Sequence, residues 1–197
     1  MRTPEINIDP QNITNFNRTE EELEAFLIFC IFVANKNSSV IAQKVNTMFN
    51  DIGIGPFAYI NFKLKEGKLR SWLEKHKIGQ YTRFTLTLTQ IAETFVQGDR
   101  LLSSCSLADL QDIKGVGLKT SRFFCLHSRA NTTCAVLDTH VLKWLNEIYG
   151  TTHKSTPTSY ADYKLLEGLF LGECHKWQKS AAQMDTFIWQ YYSNEKS

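Results

Sequence analysis

The chain has 197 residues and a formal net charge of +2, with a pI of about 8.2. That length can bury a real core, as one compact domain or as two small lobes. The near-neutral balance excludes a polybasic tail, so any contact with nucleic acid has to come from a local patch. Met1 to Pro10 lacks the apolar core of a signal peptide, and the longest apolar run, Ala25 to Ala34, is about half a membrane span. The sequence therefore reads as a soluble, intracellular protein with no membrane partner. Five cysteines, Cys30, Cys105, Cys125, Cys134 and Cys174, are odd in number, widely spaced and without a Cys-x-x-Cys. This argues against a disulfide framework, a structural zinc or an iron–sulfur cluster.

In chain order, Thr19-Glu-Glu-Glu22 is a capping box, which predicts a buried helix over Thr19 to Ala34. Asn35 to Ser39 breaks it, and Ser38 or Ser39 is the expected cap of a second helix through Val40 to Phe49, with Val40, Ile41, Val45, Met48 and Phe49 near helical spacing. Between Pro56 and His76, the Lys-Glu-Gly67-Lys interruption predicts two short helices. Thr82 to Val96 is threonine-rich and could pass for a strand, but Leu88, Ile91, Ala92 and Phe95 recur at helical intervals. Leu107 to Gln111, then Gly115-Val116-Gly117, then Lys119 to Arg129 has the pattern of a helix-hairpin-helix. Asp138 or Thr139 caps a helix over His140 to Tyr149, which Gly150 stops. Thr151 to Ser159 is a polar loop, and Tyr160 to Leu171 and Lys176 to Tyr192 are the closing helices. With no convincing β-hairpin, the class is all-α.

The hairpin turns its glycines and the amides that follow toward solvent at a positive helix end, a surface suited to an anionic phosphate. Lys119 admits two readings. It is a solvated phosphate contact, or a nucleophile whose charged form is disfavoured by the helix start and by the apolar flank of Phe123, Phe124 and Leu126. Asp138 likewise is a helix cap, or a carboxylate with one oxygen free to stabilise a sugar cation.

Taken together, Ile113-Lys-Gly-Val-Gly-Leu-Lys119-Thr-Ser and Val136-Leu-Asp138-Thr-His140 resemble the helix-hairpin-helix, Gly/Pro, Asp superfamily of base-excision DNA glycosylases. The chain is most similar to its short prokaryotic 8-oxoguanine glycosylase/lyases. It departs from the wider family in having Lys114 in place of the usual proline, Ser128 to Cys134 in place of the Gly/Pro-rich loop, and no cysteine cluster after Asp138. The resemblance implies two helical lobes with a DNA cleft between them. One lobe is built from residues 1–33 and 137–197; the other, residues 34–136, carries the helix-hairpin-helix at about 107–129. It also implies Lys119 as Schiff-base nucleophile and Asp138 as catalytic carboxylate. Asn35 would fill the space left by an extruded base, and Lys114, Gly115, Val116, Gly117 and Thr120 would hold the backbone phosphate. Any metal would be a monovalent ion on the carbonyls of Ile113 and Val116, and no cofactor is implied.

Phe123, one turn beyond Lys119, is the candidate wall of a base pocket, with Trp189 opposite, where core packing is an equal reading. His140 is read as structural or phosphate-orienting. The expected partner is double-stranded DNA carrying a damaged base, bound by a monomer in the cytoplasm. Three rival readings stay open: the same chemistry on an oxidised or mismatched pyrimidine, a non-catalytic helix-hairpin-helix module, and an all-α adaptor.

Overall fold

The computed structural model describes residues 5–34 and 36–194. Among these no strand occurs. Ten α-helices follow one another: α1 (Glu20–Phe32), α2 (Ser38–Phe49), α3 (Pro56–Lys65), α4 (Leu69–Lys75), α5 (Tyr81–Ile91), α6 (Leu107–Gln111), α7 (Leu118–Ser128), α8 (Thr139–Tyr149), α9 (Tyr160–Lys176) and α10 (Ala181–Asn194). Packing divides the chain into Met1–Gly117 and Leu118–Ser197. This boundary lies inside the hairpin, whereas the sequence grouping draws its boundaries at 33/34 and 136/137.

In the first unit, α1 buries every residue from Ala25 to Phe32, so it is apolar all round, as a core helix must be. Its expected capping box is present: Thr19 Oγ1 accepts from the Glu22 N–H at 3.3 Å, and Glu22 Oε2 accepts from the Thr19 N–H at 2.7 Å. The second helix is capped one residue earlier than expected. Asn37 Oδ1 accepts from the Val40 N–H at 3.0 Å, so Ser38 and Ser39 are helical, and Val40 is 48% exposed instead of core. Gly67, with φ +69°, separates α3 from α4 as the sequence predicts. The threonine-rich segment is helical, and it continues past Ile91 as a π-helical turn, Ala92–Gln97.

The extended segment before α1 gave no sequence signal, yet Ile6, Ile8 and Ile13 are buried. Two asparagines one turn apart, Asn46 on α2 and Asn50 at its C-cap, hold it. The Asn50 amide bonds both backbone groups of Ile6, at 2.8 and 3.1 Å, and the Asn46 amide both of Ile8, at 2.9 and 3.2 Å. Side-chain amides thus supply the donor and acceptor that a neighbouring strand would offer.

In the second unit, α7 to α10 enclose a core that includes Leu137, Tyr163, Phe170, Met184 and Ile188. Helix α9 runs on to Lys176 and does not stop at Leu171. It ends where Gln178 takes φ +52°, and α10 starts at Ala181 behind a cap in which Ser180 Oγ accepts from the Gln183 N–H. None of the described helices is long and apolar enough to cross a membrane.

Candidate active site

Helix α5 explains how the hairpin keeps its shape. Arg83, Thr87 and Gln90 recur at i, i+4 and i+7, so they share one helix face, and each bonds the hairpin backbone. Thr87 Oγ1 donates to the Lys114 carbonyl at 2.7 Å, and Arg83 donates to the Gly115 carbonyl at 3.2 Å. Gln90 donates to the Asp112 carbonyl at 3.0 Å and accepts from the Lys114 N–H at 2.8 Å. The chain turns tightly over this face because Gly115 adopts φ +88°, and a Cβ there would lie 2.5 Å from Thr87 Oγ1. Both the dihedral and the space demand glycine. Gly115→Ala is therefore expected to cost about 1–3 kcal/mol, read as a lower urea midpoint at unchanged slope. Unfolding at the wild-type midpoint would show that α5 does not fix this turn.

The hairpin offers fewer outward amides than the sequence suggests. The Val116 N–H closes the turn on the Ile113 carbonyl at 2.9 Å, the Lys114 N–H is taken by Gln90, and the Val116 side chain is buried. Gly115, Gly117 and the Lys114 side chain are exposed. Thr120 is buried at the first turn of α7, so its side chain serves packing. Asn35 lies outside the described residues.

Lys119, the second residue of α7, is half-buried, and among the described residues no hydrogen bond or ion pair holds its Nζ. Asp138 caps α8 with one oxygen: Oδ1 accepts from the N–H groups of His140 and Val141, both at 2.9 Å. Its second oxygen has no hydrogen bond among the described residues. Burial and the charge of Asp185 push the Asp138 carboxyl above its ordinary value, against the Val141 N–H and the charges of His140 and Lys119. One oxygen caps and the other is available, which is the arrangement expected of a cap carboxylate with one oxygen free.

Sequence reasoning missed Asp185 and His127. His127 is fully buried on α7, and its Nε2 lies 3.0 Å from Asp185 Oδ2. Phe123 stands edge-on to His127, with ring centroids 5.2 Å apart at 87°. It is half-buried against the second unit's core, of which Leu126 is a buried member, and Phe124 is itself fully buried. Trp189, one turn beyond Asp185 on α10, is half-buried. His140 stacks on the buried Tyr192 at 6.0 Å and 8°, which fits a structural part for its ring. The five cysteines are buried and form no disulfide, and burial pushes the Cys134 thiol up to about 12, far from a reactive thiolate. Among the described residues no group of three or more His, Cys, Asp or Glu side chains could hold a metal ion.

A sequence model described as 8-oxoguanine DNA glycosylase matches residues 7–179. The chain belongs to the 8-oxoguanine DNA glycosylase family. No curated protein sequence matches it significantly. Among solved structures, this glycosylase resembles the 8-oxoguanine DNA glycosylase of Methanocaldococcus jannaschii, at 18% identity and a TM-score of 0.72, covering 95% of this chain and 85% of that one. A structure described as the glycosylase/lyase from the same organism with a 15mer DNA containing 8-oxoguanine matches at 17% identity and 0.71, covering 93% and 87%. The 8-oxoguanine DNA glycosylase of Thermotoga maritima matches at 16% and 0.68, covering 91% and 84%. These likenesses show that the family's helical fold extends over nearly the whole chain. They agree with the sequence expectation of a short prokaryotic enzyme of the helix-hairpin-helix superfamily.

Proposed function

We propose that this family member removes 8-oxoguanine from duplex DNA and nicks the strand, with Lys119 as nucleophile and Asp138 as the anion beside the reacting sugar. The observation that carries the reading is Asp138. A carboxylate used only as a cap gains nothing from being withdrawn from water beside a second acid, whereas one that faces a developing oxocarbenium ion does.

The target base must leave the stack first, because the glycosidic bond is shielded there. Lys119 Nζ attacks C1′ through its lone pair, and the C1′–N bond breaks with its electron pair leaving on the base, which takes up a proton. The resulting ammonium loses one proton and passes a second to O4′ as the C1′–O4′ bond breaks, which gives the C1′=Nζ Schiff base. Abstraction of a C2′ proton then eliminates the 3′ phosphate. Lys114 and the exposed hairpin glycines supply phosphate contacts that hold the backbone and carry no sequence information. Phe123 and Trp189 remain the candidates for flanking the extruded base. The protein acts as a monomer on cytoplasmic DNA, a placement that suits five buried cysteines without a disulfide.

Borohydride trapping tests the proposal, with duplexes carrying 8-oxoguanine, thymine glycol, uracil, an abasic site or no lesion. Wild type is expected to trap on 8-oxoguanine and on the abasic site, and Lys119→Gln on none, while Lys119→Gln still binds duplex. Trapping on thymine glycol but not 8-oxoguanine would move the substrate to an oxidised pyrimidine. Binding without trapping on any duplex would leave a helix-hairpin-helix DNA-binding module.

A further inference from the structure

The approach to Asp138, residues 134–137, is a buried segment outside any helix in a protein with no strand among its described residues. Its backbone groups still need partners, because an unpaired buried N–H or carbonyl is costly. Helix α9 supplies them from two side chains one turn apart. Glu167 Oε1 accepts from the Ala135 N–H at 3.1 Å. Tyr163 Oη donates to the Ala135 carbonyl at 2.8 Å and accepts from the Leu137 N–H at 3.3 Å. The Leu137 carbonyl takes the Thr156 hydroxyl at 2.6 Å.

The same Glu167 oxygen also accepts from Arg122 Nε at 2.7 Å, and Arg122 sits three residues after Lys119 on α7, with its guanidinium 4.5 Å from the Tyr163 ring centroid. One carboxylate oxygen therefore ties the helix that carries Lys119 to the segment that carries Asp138. We infer that Glu167 and Tyr163, acting through Arg122 and the 135–137 backbone, are positioning residues that set Lys119 and Asp138 in register.

The inference rests on the proposed reaction, and geometry is what such a reaction is sensitive to: a displacement of about 1 Å in a reacting group can cost on the order of a hundredfold in rate. A network that only stabilised the fold would affect this rate no more than any other core packing does.

The test compares Tyr163→Phe and Glu167→Gln with Phe170→Leu, a change in the same core at a residue that makes none of these hydrogen bonds. Amide exchange at Ala135 and Leu137 reads the tether directly. Single-turnover cleavage of an abasic duplex reads the maximal rate and the half-saturating protein concentration separately. Tyr163→Phe is expected to speed exchange at Leu137 and to lower the maximal rate about tenfold or more, with half-saturation within about twofold. Glu167→Gln, which keeps an acceptor for the Ala135 N–H, is expected to fall in between. Phe170→Leu is expected to leave both within about twofold. Thr156→Val gives a milder version of the same split if Tyr163→Phe does not fold. Unchanged exchange and rate in the α9 variants, or an equal loss in Phe170→Leu, would overturn the inference. If wild type cleaves no abasic duplex the proposed chemistry fails first, and unchanged exchange at Ala135 and Leu137 would then overturn the tether separately.

Discussion

Asp138→Asn is expected to lower single-turnover excision about 10²–10³-fold while leaving the melting temperature at pH 7 unchanged or higher. Asparagine caps helices as well as aspartate does, so its oxygen can still accept from the N–H groups of His140 and Val141. The variant thus keeps the local structure of α8 and loses only the charge. Folding raises the carboxyl of Asp138 above its ordinary 3.8, through burial first and Asp185 second. The folded state therefore favours the protonated acid, and the contribution of Asp138 to stability is fully present below 3.8 and lost as pH rises through the raised value. At neutral pH the anion is held at a cost to stability, which Asn removes. The wild-type rate should fall in acid at a pH above that of an ordinary aspartate, and the variant should lack this limb. A wild-type rate for Asp138→Asn would reduce Asp138 to its cap. A large drop in melting temperature would instead show that the charge holds the fold.

The parts of the molecule legible in the sequence are those fixed by chemistry within a turn or two of helix. Thr19 and Glu22 cap each other, Gly67 separates α3 from α4, and Asp138 and Gly150 bound α8. Each is a local hydrogen bond or dihedral, and residue type at fixed spacing predicts it. Lys119 and Asp138 stand out as candidates on the same local scale, each within its own short motif, Ile113 to Ser121 and Val136 to His140. What sequence spacing does not show is which side chain answers a backbone group far along the chain. Thr87 meets Lys114 across 27 positions, and Glu167 meets Ala135 across 32. The polar face of α5 was visible as an excess of threonine, but its target was not. The N-terminal segment has no periodicity of its own because Asn46 and Asn50 order it.

The second large expected effect is on stability. Arg122→Met is expected to cost about 3–5 kcal/mol, read from the urea midpoint. Arg122 is 3% exposed and Glu167 1%, so removing the guanidinium strands a carboxylate where water cannot replace its partner. Lys164, also bonded to Glu167, reaches the other oxygen from a side chain 49% exposed, and it offsets only part of that loss. Burial works against the Glu167 anion, but hydrogen bonds from Arg122, Lys164 and the Ala135 N–H outweigh it and hold the carboxyl below its ordinary 4.5. A depressed carboxylate stabilises the fold above 4.5, and this contribution is lost as pH falls through the lower folded value. The difference between wild type and Arg122→Met should therefore narrow in acid. Adding Glu167→Gln to Arg122→Met should recover part of the loss at pH 7, because the amide is neutral and still accepts from the Ala135 N–H. If the double variant is no more stable than Arg122→Met, the cost arises from lost packing of the guanidinium on the Tyr163 ring and not from an unpaired charge.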